Sequence, residues 1–337
     1  MKYWVLGTLA KKILMPKKQN IISNKQVSVN DLLELIGIST IETLAKTLGS
    51  DKWVPKLKTT TVFKLILYSI LETNQLSLRT MEENYCSPIF KPIEESLVDE
   101  RTAHSSICDR LINIDVRCFT QLYDKVYSLL SEQYAEKQLR DYNIKRYDST
   151  MVAVFSHLLT GIKVGNSSKN KRQVKFSTTL ENDIQMQMSF FKDQAYLSEE
   201  VALKQTIEQA THSNKDIIVF DRGLKSRKSF KAFKDNQTLF VTRLHNKTRY
   251  KHVRKHKACK TIAHEQVQCI QDSIVYPYTD GHKLLKEEFR LIEAINKEDG
   301  KPLWFLTNML DLTTAQIAYV YKQRWQIEVL FRFLKQE

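Results

Sequence analysis

The sequence predicts a mixed α/β protein, in which a helical N-terminal domain precedes a mixed sheet flanked by helices and carrying a β-rich insertion. Three observations predict it. From Val29 to about Lys137 apolar residues recur at i, i+3 and i+4, the period of an amphipathic helix. At Asn143 the texture changes to short, closely spaced segments rich in β-branched and aromatic residues. The later run KDIIVFDRG is continuously apolar, as expected of a central strand covered on both faces.

Residues 1–30 are basic and weakly patterned, a segment expected to be partly disordered. The helical domain is assigned to 31–140. Its three helical stretches are DLLELIGISTIETLAKTLG, TTTVFKLILYSILETNQLSLRTMEENY and DVRCFTQLYDKVYSLLSEQYAEKQL, each with Ser, Thr or Asp near its start. The second domain is assigned to 141–337. KRYDSTMVAVF, LLTGIKVG, VKFSTTL and IQMQMSFF predict an antiparallel meander. SEEVALKQTIEQAT predicts a helix, KDIIVFDRG a buried strand, SRKSFKAFKD a helix and TLFVTRL a strand. Residues 245–302 read as the β-rich insertion, with strands at VQCIQDSIVYPY and EEFRLIEAI, before LWFLTNML returns the chain to the sheet. One amphipathic helix, 313–337, closes the chain.

Composition narrows the function. The 337 residues hold 52 Lys+Arg against 38 Asp+Glu, a formal net charge of +14. That excess points to a polyanionic partner, most often nucleic acid, bound through phosphate contacts. No run approaches the roughly eighteen apolar residues of a membrane span, and the opening apolar patch is too short for a secretory signal. Five cysteines (Cys86, Cys108, Cys118, Cys259, Cys269), an odd number without CxxC spacing, suggest reduced thiols in a cytoplasm.

The chemistry-bearing residues lie in the second domain. On a helix from Tyr319 to Glu337, at about 100° per residue, Tyr321, Arg324, Glu328 and Lys335 fall within roughly 60° of one another, and Arg332 joins their stripe. Val320, Ile327, Leu330, Phe331 and Leu334 form the flanking apolar arc. Asp148 lies inside an apolar-flanked strand and Asp221 closes the run IIVF. A charge there is costly unless it is paired or binds a metal. Each aspartate taken alone has a simpler reading: Asp148 in a salt bridge with Arg146, Asp221 capping a turn before Gly223. Together, two strand aspartates and a helix glutamate make a carboxylate set for two divalent cations, Mg²⁺ or Mn²⁺, of the kind that cleaves phosphodiesters.

The spacing Tyr321-x2-Arg324-x3-Glu328-x6-Lys335 resembles the signature of the DDE transposases of the insertion-sequence-four family. Asp148-Ser149-Thr150 and Asp221-Arg222-Gly223 match two further family motifs, in order. The resemblance covers roughly residues 145–337 and implies a ribonuclease-H-like domain with a β-rich insertion before the glutamate. It implies that Asp148, Asp221 and Glu328 are catalytic and ligate two Mg²⁺ (or Mn²⁺) ions, and that Tyr321, Arg324 and Lys335 hold transposon-end DNA. It implies cut-and-paste transposition of an insertion sequence through a hairpin intermediate, by a homodimer on double-stranded DNA in a bacterial cytoplasm. Leu224 stands where the family usually carries an aromatic residue. Members normally continue for some tens of residues past the glutamate helix, so the resemblance also implies that the final helix is cut short. The rival readings are an inactive DNA-binding remnant and another ribonuclease-H-like nuclease.

Weaker candidates complete the set. Arg222 could contact a phosphate beside Asp221. Lys247, Arg249, Lys251, Arg254, Lys255, Lys257 and Lys260 read as a DNA-facing basic loop. His252, His256, Cys259, His264 and Cys269 interleave with those cations at no recurrent zinc spacing. Lys169, Lys171, Arg172 and Lys175 could line the same DNA path, or merely turn a hairpin. Trp304 could stack on an unpaired base or pack in the sheet, and Trp325 reads as packing that seats the final helix.

Overall fold

The computed structural model describes residues 28–73, 76–94, 101–134, 139, 142–154, 161–164, 172–182, 184–256, 267–279 and 282–335. Most of the basic 1–30 segment therefore falls outside the described residues, as do Lys169, Lys171, Lys257, Cys259, Lys260 and His264. The chain divides into two compact units, one ending at Tyr134 and one running from Ala135 to Lys335.

The first unit is helical, as predicted, but its helices are shorter than their apolar periods. Ser28 caps α1 (Val29–Ile36) in a reciprocal box with Asp31. Gly37 then takes φ +79°, a value that favours glycine, and separates α1 from α2 (Ile38–Thr47). The next predicted stretch likewise becomes α3 (Thr59–Glu72) and α4 (Leu78–Tyr85), with Ser77 capping the second by accepting the Thr80 N–H. Helix α5 (His104–Asn113) was not foreseen, and α6 (Val116–Tyr134) was. Leu33, Val62, Leu65, Tyr85, Phe90 and Ile107 meet in one core.

Among the described residues the second unit is built on one ten-stranded mixed sheet. Strands β1 (Asn143–Val154), β3 (Arg172–Glu181) and β4 (Ile184–Phe191) form the expected antiparallel meander, with the short β2 (Ile162–Lys163) also against β3. On the other side of β1 run β5 (Asp216–Phe220) and β6 (Leu239–Leu244), both parallel to it. Helices α7 (Glu199–Gln209) and α8 (Arg227–Asp235) make the crossovers that parallel strands require.

The predicted insertion is not a separate layer. Strands β7 (Tyr250–Lys255), β8 (Val267–Pro277), β9 (Phe289–Asn296) and β10 (Pro302–Thr307) extend the same sheet beyond β6, in the order β6-β10-β9-β8-β7. Residues 250–255, read from their charge as part of a loop, are its edge strand. The closing helix also differs. It is two helices, α9 (Thr314–Lys322) and α10 (Trp325–Lys335). Between them the bonds shorten to i→i−3: Arg324 N–H donates to Tyr321 and Ile327 N–H to Arg324. Apolar periodicity is blind to that change, because a tightened turn keeps the buried stripe nearly continuous.

Both faces of β5 are covered, and its residues alternate between them. Ile218 and Phe220 join Tyr147, Leu203, Ile207, Phe230 and Phe240 on the face of α7 and α8. Ile217 and Val219 join Ile144, Val241 and Phe305 beneath Ile317 and Val320 of α9. Beside them Ile327 and Phe331 of α10 pack on Phe176 and Leu180 of β3. No helix among the described residues is long and apolar enough to cross a membrane.

Candidate active site

Strand register brings the two aspartates together. Tyr147 of β1 pairs with Phe220 of β5, and both rings point into the α7–α8 face. The next residue on each strand must leave the opposite face. Asp148 and Asp221 therefore emerge side by side beneath α9 and α10, where Tyr321, Arg324 and Glu328 reach them.

Arg324 links the carboxylates. Its guanidinium donates to Asp148 Oδ2 at 3.4 Å and to Glu328 Oε1, one helical turn on. The Tyr321 hydroxyl donates to Asp221 Oδ1 at 3.0 Å, and its ring lies 5.8 Å from the Arg324 guanidinium. Tyr321 is held in turn by Phe305 of β10, 5.2 Å away. Three carboxylates from three elements thus meet one arginine and one tyrosine. The alternative partner for Asp148, Arg146, is fully buried two residues earlier on the same strand. Asp221 does open the turn through Arg222 and Gly223, yet it also faces the cleft.

Electrostatics distinguish the two aspartates. Burial pushes the Asp148 carboxyl up to about 6; the Ser149 N–H and Arg324 pull it down, while the charges of Glu199 and Asp221 add to the rise. Burial acts on Asp221 too, but the Arg222 N–H, Arg324 and the Tyr321 hydroxyl outweigh it and hold that carboxyl below the usual range. Burial likewise opposes charge on Arg324, yet the negative charge around it keeps the guanidinium firmly protonated.

A fourth carboxylate went unnoticed in the sequence. Glu199 opens α7, and a Cβ on Gly223 would stand 2.8 Å from its Cδ and 2.9 Å from its Oε1. The Glu199 carboxyl thus lies directly against the Asp221 turn, where a larger residue at 223 would push it aside. Glu200 secures the approach by accepting the Ser226 N–H at 2.6 Å. The glycine of Asp221-Arg222-Gly223 was legible as a turn residue; its neighbour was not, because a tertiary approach leaves no spacing in the sequence.

The other candidates divide. Arg222 Nε lies 3.8 Å from Asp221 Oδ1, so this cation borders the site. Arg332 and Lys335 are exposed on α10, with Arg332 over the Trp325 ring at 5.7 Å. Trp325 itself is 55% exposed, so it does not seat the helix by burial. Trp304 is on β10, packed against the α7–α8 face and edge-on to Tyr250 at 5.9 Å. It is on the side of the sheet away from the carboxylates. Arg254 spends its guanidinium on Glu288, at 2.6 and 2.7 Å, while Lys255 is exposed beside it on the edge strand. Lys175 is buried, donating to the Leu197 carbonyl, and does not face a DNA path.

The donor set suits a hard cation, since it offers carboxylate oxygens and neither thiolate nor imidazole. Among the described residues no three acidic, histidine or cysteine side chains converge tightly enough to enclose one ion. The Arg324 guanidinium stands between Asp148 and Glu328 instead.

Residues 140–337, more than half of the chain, match the family described as the transposase DDE domain. The chain belongs to the DDE transposases. Similar proteins carry related names. One, from Sinorhizobium fredii and provisionally named transposase y4zB, is 31% identical over 118 residues, covering 35% of this chain and 33% of that protein. Another, from Synechocystis sp., is provisionally named a transposase for insertion sequence element IS4SA. It is 24% identical over 284 residues, 83% of this transposase and 73% of its relative. The chain thus spans a third of the first relative and nearly three quarters of the second.

Proposed function

We propose that this transposase moves an insertion sequence by cutting it from DNA and joining it elsewhere, with Asp148, Asp221 and Glu328 as its catalytic carboxylates. The observation that carries the reading is the shared arginine: Arg324 touches Asp148 of β1 and Glu328 of α10, while Tyr321 holds Asp221 at the end of β5. A sheet with an antiparallel meander followed by parallel β5 and β6, with Asp148 midway along β1 beside Asp221 just past the end of β5, supports a ribonuclease-H-like core. Two Mg²⁺ or Mn²⁺ ions held by the three carboxylates would activate the attacking oxygen and stabilise the leaving one.

The chain's own residues supply the rest. Arg324 holds Asp148 and Glu328 in place and neutralises part of their charge. Tyr321 fixes the Asp221 carboxylate through its hydroxyl. Arg222, Arg332 and Lys335 lie where a DNA backbone approaching the cleft would meet positive charge. Substrates on this reading are the element's inverted-repeat ends and a target duplex, bound by a homodimer in a bacterial cytoplasm.

A two-plasmid assay tests joining as well as cutting. One plasmid carries the element's ends and the other serves as target. The reading predicts Mg²⁺-dependent excision and covalent joining to the target. Cutting without joining would make the protein a nuclease, and DNA binding with neither would make it a catalytic remnant.

A further inference from the structure

Glu199 lies beside the candidate catalytic carboxylates without being one of them. An acid in the first turn of a helix is commonplace, because the helix dipole favours it there, and that position alone assigns nothing. Three observations set Glu199 apart. Its carboxyl faces the side-chain position of Gly223, two residues past Asp221: a Cβ there would meet Glu199 Cδ, Oε1 and Cγ at 2.8, 2.9 and 3.0 Å. Its negative charge reaches Asp148 of β1. It has no hydrogen-bond or ion-pair partner among the described residues, whereas its neighbour Glu200 accepts the Ser226 N–H at 2.6 Å.

No resident cation claims it. Lys175 of β3 feels the Glu199 charge, yet its buried Nζ donates to the Leu197 carbonyl at 2.9 Å and makes no ion pair with the glutamate. Like charges placed this near one another repel until a cation joins them. The charge balance agrees. Asp148, Asp221 and Glu328 with Arg324 leave two net negative charges to face two divalent cations, and Glu199 adds a third. A hard cation takes carboxylate oxygens and keeps some of its waters, through which a carboxylate one step further out also holds it.

We propose that Glu199 is a fourth metal-site carboxylate, joining Asp148 and Asp221 on one divalent cation either directly or through a bound water, an assignment that rests on the metal-dependent reading of the cleft. The alternative is a buttress: Glu199 would wedge the turn that carries Asp221 and touch no cation. The two roles differ in sign. A buttress stabilises the fold with or without metal. A metal-site carboxylate repels Asp148 while the cation is absent and stabilises the fold only once it is bound.

The test is Mn²⁺ binding to the full chain without DNA, read from loss of the free-ion paramagnetic resonance signal, together with the melting temperature. Glu199→Gln keeps the side chain's size and removes its charge. Its Mn²⁺ affinity should fall by at least about tenfold, the scale of a lost supporting group around a metal. It should melt at or above the wild type in EDTA and below it in saturating Mn²⁺. Glu208→Gln makes the same charge change at the far end of α7 and should leave the affinity unchanged. Gly223→Ala should weaken binding as well, because its Cβ displaces the Glu199 carboxyl and keeps the charge. Wild-type affinity in Glu199→Gln overturns the proposal. So does an equal loss in Glu208→Gln, the mark of charge at a distance, or a lower melting temperature in EDTA too, the mark of a buttress. Asp148→Asn separates this assignment from the reading beneath it. If it also binds Mn²⁺ like the wild type, the metal reading of the cleft has failed; if it loses binding while Glu199→Gln does not, only the part given to Glu199 has failed.

Discussion

Arg324 acts as the resident counter-charge of the candidate site. Its guanidinium is largely buried, as is the Asp148 carboxylate it touches, so removing it leaves acids facing one another in a poorly hydrated cleft. Breaking such a pair costs about 3 kcal/mol. Arg324→Ala should therefore stay folded, lose DNA processing and melt lower. Added Mg²⁺ should raise its melting temperature more than it raises that of the wild type, and equal shifts would show that metal and arginine do not serve the same carboxylates. Asp148 yields a pH prediction. Its carboxyl titrates near 6 in the folded chain against an ordinary value of 3.8, so the folded state holds the extra proton between those values. The stabilising contribution is complete below about pH 4 and is lost as pH rises through about 6, a change of roughly 3 kcal/mol. Denaturant unfolding from pH 4 to 7 should show that decline in the metal-free wild type and not in Asp148→Asn. Parallel curves would mean the carboxyl is not perturbed. At this scale the grouping of Tyr321, Arg324 and Glu328 was legible from their shared helical stripe, and Asp148 and Asp221 stood out as charges in apolar strand segments. Glu199 was not legible, because its approach to the Asp221 turn is tertiary and leaves no spacing in the sequence.

The helices that carry Tyr321, Arg324 and Glu328 are anchored by the sheet extension. Arg290 of β9 donates to Asp272 of β8 at 2.9 and 2.6 Å and to the Met309 and Leu312 carbonyls at 3.4 and 2.5 Å. Asp272 also accepts from Thr314, the first residue of α9, at 3.1 Å. The extension and the start of α9 are thus fastened through one buried ion pair. Arg290→Met should cost about 3–5 kcal/mol in denaturant unfolding, since it leaves Asp272 without its main partner. Arg290→Met combined with Asp272→Leu should recover much of that loss; a double variant as unstable as the single one would place the effect in packing rather than charge. Element types were largely legible, since long apolar periods identify α3 and α6 and the run IIVF identifies β5. Strand β7 was hidden: on an edge with much of YKHVRK exposed, it lacks the apolar alternation that marks a strand. Its charges are those by which natural edges avoid pairing with another chain.

On the proposed function, the +14 charge would hold DNA and the carboxylate cleft would cut it. Binding should weaken steeply with salt because counterions return to the phosphates as the cations let go. Titrations between low and physiological salt should therefore give a strongly negative slope for wild type and for the carboxylate variants alike, and a flat slope would mean the charge serves solubility. The two-part organisation, helices and then a mixed sheet, was legible from the switch in period at Asn143. The return of β10 to the sheet was legible in LWFLTNML; that β9, β8 and β7 extend the same sheet beyond it was not, because strand patterns do not say whether they form a layer of their own or lengthen an existing edge. The central claim is that Asp148, Asp221 and Glu328 cut DNA together. It is tested most directly by Mg²⁺-dependent nicking of DNA carrying the element's ends, using wild type and the single variants Asp148→Ala, Asp221→Ala and Glu328→Ala, each verified as folded and DNA-binding. The account predicts that each variant loses nicking by at least about a hundredfold, the scale of one lost catalytic group. Wild-type nicking in any of the three would contradict it.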